Sequence, residues 1–135
     1  MKKLGWLILA ISLLLSGCSG DPQINLLHAK QDEQELETLR FILEDEEKMS
    51  EAVGVFFDHQ VIVAVQVHPL SKFRKEKIEK RISDELKKKF PDHEIFVSSD
   101  LKIMWELKDL VDQDPTEETL KKTLADIQSL AKEAT

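Results

Sequence analysis

Cysteine is all but missing from this chain. Cys18 is the only one in 135 residues, so no intramolecular disulfide can form, and the fold must be held by apolar burial. Glycine is scarce too, at four residues, which leaves little material for phosphate-cradling loops. No Gly-x-Ser-x-Gly, His-Glu-x-x-His or phosphate-loop pattern occurs. Positive charge is in the minority: 19 Lys and Arg against 26 Asp and Glu give a net charge of −7, a poor balance for a nucleic-acid partner. The apolar run at 4–15 is also too short to be a permanent anchor, at ~12 residues against the ~20 of a spanning helix.

What that run does carry is a leader pattern. Lys2 and Lys3 precede it, and Leu15-Ser16-Gly17-Cys18 follows it. Small residues before a cysteine suit an extended protease substrate, so this reads as a bacterial lipobox cleaved between Gly17 and Cys18. The Cys18 thiolate is the nucleophile that takes up the diacylglyceryl group. Two or three acyl chains, palmitate among them, hold a protein on a membrane where one does so only marginally. The expectation is therefore a signal peptide over 1–17 and an extracytoplasmic, membrane-anchored protein from Cys18 onward. Losing Lys2 and Lys3 with the leader takes the net charge from −7 to −9.

The remaining ~118 residues make one domain, and the 41% apolar content is adequate for its core. Gly20, Asp21, Pro22 and Asn25 suggest a tether over 18–30. Leu36, Leu39 and Leu43 recur at helical spacing over 31–52, with Gly54 ending the helix. Residues 53–57 and 61–67 are valine-rich strands about Asp58-His59-Gln60, a hairpin without the favoured Asn-Gly or Asp-Gly pair. Pro69 closes the second strand, and Ser71 is a candidate N-cap for a lysine-rich helix. Its apolar stripe is Ile78, Ile82, Leu86 and Phe90, and Pro91 stops it. Residues 94–98 alternate as a third strand, entered by a parallel strand-helix-strand connection. Asp100 caps a helix over 100–111. Asp114, Pro115 and Glu117 then open a last helix faced by Leu120, Leu124, Ile127 and Ala131. These signs predict one α+β domain over 31–135. It is a small two-layer fold in α-β-β-α-β-α order, with a three-stranded mixed sheet, helices on one face and an extra C-terminal helix.

Several of these residues carry a family resemblance. Over 47–110, the Val53-Gly54-Val55 start, the valine-rich second strand, the lysine-rich helix and Phe96-Val97-Ser98-Ser99-Asp100 together resemble the sporulation lipoproteins of the YhcN/YlaJ family. The resemblance covers about half the chain. It implies a lipoprotein of an endospore-forming bacterium, placed in a spore membrane, with a part in sporulation or germination and no catalytic residue to carry over. The element order also resembles the ring-building modules of secretion and sporulation channels, an analogy of fold alone.

The chemistry-bearing residues point to no enzyme. His28, His59, His68 and His93 are the four histidines. His59 and His93 each follow an aspartate, yet the spacings match no metal-site pattern and His28 falls in the expected tether. They are read as solvent-exposed turn residues, and no metal or cofactor is expected. Charge is segregated, acids over 31–60 and bases over 71–90. That fits solvated helix faces, and also head-to-tail homo-oligomers or contact with anionic lipid. On the 100–111 helix Trp105 lies nearly opposite Ile103, Met104 and Leu107, with Leu101 nearest to it. Either the last helix folds over Trp105, or Trp105 and Leu101 form an interaction patch. The functional expectation is a lipid-anchored, non-enzymatic accessory protein working through contacts with spore-membrane or germination proteins. The alternative is a self-assembling structural module at a membrane surface, and behind it an extracytoplasmic enzyme.

Overall fold

Alternation in the valine-rich centre of the chain sets the architecture. In the computed structural model, which describes residues 22–133, β2 (Met49–Phe57) and β3 (Gln60–Val67) form an antiparallel hairpin. Its loop residues, Asp58 and His59, have φ of 45° and 62°. A type I′ turn needs both values positive, and Asp and His are among the side chains that tolerate this region best. In β3 Val61, Val63, Val65 and Val67 enter one core while Ile62 and Ala64 enter another. A strand with two apolar faces must be covered on both.

It is covered on both. The sheet has four strands in the order β1-β2-β3-β4: β1 (Gln23–His28) runs parallel to β2, and β4 (Glu94–Ser98) parallel to β3. Helices α1 (Glu33–Glu44) and α2 (Lys75–Lys89) cover one face. Helices α3 (Leu101–Asp112) and α4 (Glu117–Glu133) cover the other. The α+β class and the expected hairpin, parallel connection and 94–98 strand are present. The three-stranded sheet with helices on one face is not: there is a fourth strand, and helices flank the sheet on both faces.

Each departure has a physical cause. Residues 23–28, expected in the tether, form an edge strand, where pairing with Glu51 through Phe56 overrides the breakers beside it. Helix α1 stops at Glu44, not at 52. Asp45 and Glu46 just after it are held by Arg81 of α2, at 2.7 and 2.5 Å, and a strand begins at Met49. Ser71 caps no helix but lies inside a short 3₁₀ turn, Pro69–Arg74, that leads into α2. Asp114, expected to cap the last helix, has φ 47°. Thr116 caps α4 instead, its Oγ1 accepting from the Thr119 N–H and its carbonyl from that of Leu120. Asp100 caps α3 as expected, accepting from the Lys102 N–H at 2.8 Å.

Two long-range features fix the layers. Lys108 of α3 donates to Glu51 of β2, and this bond holds the ammonium above the ordinary lysine range. The stabilisation is present throughout neutral pH and lost only as pH rises through that raised value. Gly54, in the middle of β2, lets β1 and α1 approach: a Cβ there would stand 2.8 Å from Leu39 Cδ2 and 2.9 Å from Leu26 Cδ2. Among the described residues no helix is long and apolar enough to cross a membrane. Gly54→Val is expected to cost about 1–3 kcal/mol by overpacking, measured as a lower urea midpoint at unchanged slope.

Candidate functional site

The C-terminal end of β1, the β2–β3 turn and the residue before β4 share one end of the sheet. His28 pairs with Phe56 across β1 and β2, and the Glu94 N–H donates to the His59 carbonyl at 2.7 Å. Helix α1 starts at the same end, where Asp32 caps it by accepting from the N–H groups of Gln34 and Glu35. Three of the four histidines therefore come together beside two carboxylates. His68 lies at the opposite end.

The cluster is organised around Glu35 and Phe56. His28 Nε2 is 2.8 Å from Glu35 Oε2, and the Lys30 N–H donates to His28 Nδ1 at 3.0 Å. A nitrogen that accepts carries no proton, so Nε2–H is the donor to Glu35. His93 Nε2 lies 4.0 Å from the same oxygen. The His28 ring stacks on Phe56 at 4.9 Å, and His93 meets Phe56 and Phe90 edge-on at 6.0 and 5.6 Å. His59 is 6.0 Å from His93, ring to ring. The side chains of His28 and His93 are only 8% and 18% exposed, and His93 Nδ1 is buried without a hydrogen-bond partner among the described residues. Of the histidines expected in solvent, these two are instead largely buried.

A cleft of about 470 Å³ opens over the cluster, lined by His28, Asp32, Glu35, His59, His93 and five further residues besides Phe56. Among the described residues no serine, threonine or cysteine lines it. The arrangement can polarise an imidazole or hold a cation, and the described residues of this cleft include no hydroxyl or thiol nucleophile to go with the imidazole. Asp32 and Glu35 were hidden in the acidic run. The available signal was their spacing, an N-cap residue with Glu three positions on.

The other candidates lie elsewhere. Gly17 and Cys18 fall outside the described residues. Trp105 and Leu101 do form an exposed pair, one helical turn apart on α3, at 66% and 43% exposure. Helix α4 does not fold over them: Leu120, Leu124 and Ile127 pack with Ile103, Met104, Leu107 and Leu110 on the other side of α3. A further apolar pair went unread. Leu70 and Phe73, in the 3₁₀ turn, are 99% and 91% exposed, flanked by Lys72, Arg74, Lys75 and Lys77. They stand outside the Ile78–Ile82–Leu86 stripe that α2 buries.

No family model, curated protein or solved structure matches the chain.

Exposure decides what Trp105 contributes. Trp105→Ala should change unfolding free energy by less than ~1 kcal/mol, whereas Leu107→Ala, fully buried on the same helix, should cost about 2–5 kcal/mol. Urea denaturation of both variants checks the contrast.

Proposed function

We propose that this chain is a lipid-anchored, non-enzymatic accessory protein of the spore membrane in an endospore-forming bacterium, with the anchored end of its domain lying on the bilayer. One observation supports this reading above the others. Gln23, the first residue of β1, pairs with Glu51 at the start of β2, and Val67, the last of β3, pairs with Met49. The chain therefore enters the sheet at the end from which β3 leads into the 3₁₀ turn with Leu70 and Phe73.

The lengths agree with this arrangement. Cys18 stands five positions before Gln23, a span of at most ~18 Å in any conformation. A diacylated Cys18 would hold that end of the sheet close to the headgroups. Leu70 and Phe73 would enter the interface there, with Lys72, Arg74, Lys75 and Lys77 facing phosphates. The Lys72 ammonium already lies 5.3 Å from the centre of the Phe73 ring. Glu44, the last residue of α1, and Glu47 in the loop after it oppose this attraction, and Asp45 and Glu46 are offset by Arg81. The balance at this end is modest, so apolar insertion carries the docking and charge assists it. On the flank, Trp105 and Leu101 offer a surface for the protein contacts that sporulation or germination would require.

Two measurements test the reading. In membrane fractions, mass spectrometry should find a diacylated peptide beginning at Cys18 in dormant spores and not in vegetative cells. An acylated peptide equally abundant in both would keep the anchor and remove the spore assignment. Separately, the chain from residue 18 onward, with Cys18→Ser, should co-sediment with vesicles containing 30 mol% phosphatidylglycerol. Leu70→Ser with Phe73→Ser should weaken that binding at least ~tenfold, since each buried methylene contributes about 0.8 kcal/mol. Unchanged binding by the double variant would refute docking through this turn.

A further inference from the structure

The histidine cluster stands at the end of the sheet away from the proposed bilayer contact, and nothing in that reading uses it. We propose that His28, Asp32 and Glu35 form a binding site for a divalent transition metal of the zinc class, with His93 as a supplementary donor. One ligand atom from each of the first three lies within 4.8 Å of the other two. Bonds of ~2.0–2.2 Å to a tetrahedral ion place its ligands roughly 3.3–3.6 Å apart. The 2.8 Å separation of His28 Nε2 and Glu35 Oε2 must open by several tenths of an ångström, and the Asp32 carboxylate must close in. An imidazole with two carboxylates is a donor set for zinc, nickel or copper; calcium and magnesium take oxygen ligands alone.

The surroundings already hold these donors in place. Asp32 Oδ1 is fixed by the Gln34 and Glu35 amides, which leaves Oδ2 to face a cation. His28 is seated against Phe56, and Glu35 sits in the first turn of α1. Supporting contacts of this kind orient metal ligands. Among the described residues the cleft lining adds Asp58 and Glu117 against Lys30, so the local field favours a positive ion. His93 turns Nε2 toward Glu35 at 4.0 Å, close enough to enter the coordination sphere by a side-chain movement.

Proton accounting is simple. Without metal, Nε2–H of His28 donates to Glu35 while Nδ1 accepts from Lys30. A metal at Nε2 takes the place of that proton, and the neutral ring then carries its proton on Nδ1. The Lys30 N–H must give up its bond, and as an exposed turn amide it can turn to water instead.

The test uses the full-length chain in a non-ionic detergent, untagged and stripped by a chelator, with Cys18→Ser to remove the only thiol. Zinc is titrated against a chromophoric competitor. The expected result is saturable uptake of one equivalent, with His28→Gln and Glu35→Gln each weakening it at least ~tenfold. Asp32→Asn should also weaken it while keeping the helix cap, because Asn caps as well as Asp. It therefore reports on the site even if His28→Gln fails to fold. His68→Gln, at the other end of the sheet, should bind as the parent does. No saturable uptake by the parent, or uptake that Asp32→Asn and Glu35→Gln leave intact, would overturn the proposal.

Discussion

Burial of the β2–β3 hairpin on both faces is the constraint from which the rest follows. Ala52, Phe56, Val61, Val63 and Val65 look to one side, and Val53, Val55, Ile62 and Ala64 to the other. Neither side can be left to water, so the chain lays two helices on each. The turn that starts the hairpin must also bring both strands into register without glycine. Asp58 and His59 do this with left-handed backbone. One residue of slippage would exchange the two sets of apolar side chains between cores of different shape. The outer strands then complete the sheet, β1 against β2 and β4 against β3.

A sheet built this way has two unlike ends. At one end lie the start of β1 and the turn carrying Leu70 and Phe73. At the other lie the end of β1, the Asp58–His59 turn and His93. β3, at eight residues, spans about 26 Å at ~3.3 Å per residue. Resting the first end on a bilayer would present the histidine cleft to the compartment beyond, well outside the ~8–10 Å over which surface charge is felt at physiological salt. The membrane reading and the metal site are independent claims, but this geometry makes them compatible: neither would hinder access to the other.

What could be read along the chain was local. The strand at Glu94–Ser98, the Pro91 stop and the Asp100 cap depend on neighbours within a few positions, and each lies where its pattern indicates. β1 was unreadable because an edge strand pairs on one side only. Its polar Gln23 and Asn25 sit beside Pro22 and resemble a linker until β2 is placed next to them. The end of α1 was unreadable for a different reason. No glycine or proline marks it; the marker is Arg81, 36 and 35 positions away from Asp45 and Glu46. The histidine site was the least legible of all. Its members are dispersed over 28–93, and the two carboxylates look like any others in an acidic stretch. Only the strand order reveals that the ends of β1 and β2 and the approach to β4 are neighbours.

Arg81 also changes how the segregated charges are understood. Along the chain, acids precede bases in blocks, which suggests one copy's basic helix meeting another's acidic helix. In the fold, α1 and α2 lie on the same face of the sheet and share a core through Leu39, Ile42, Leu43, Ile78, Ile82 and Leu86. The basic block therefore sits beside the acidic one within a single chain. Arg81 satisfies Asp45 and Glu46 there, and Glu46 is buried in doing so. Breaking a buried pair to form an equivalent one between copies would leave a desolvated charge without gain. Arg81, Asp45 and Glu46 are thus already engaged within one chain. Apolar surface stays exposed elsewhere, Leu70 and Phe73 beyond the end of β3 and Trp105 with Leu101 on the flank.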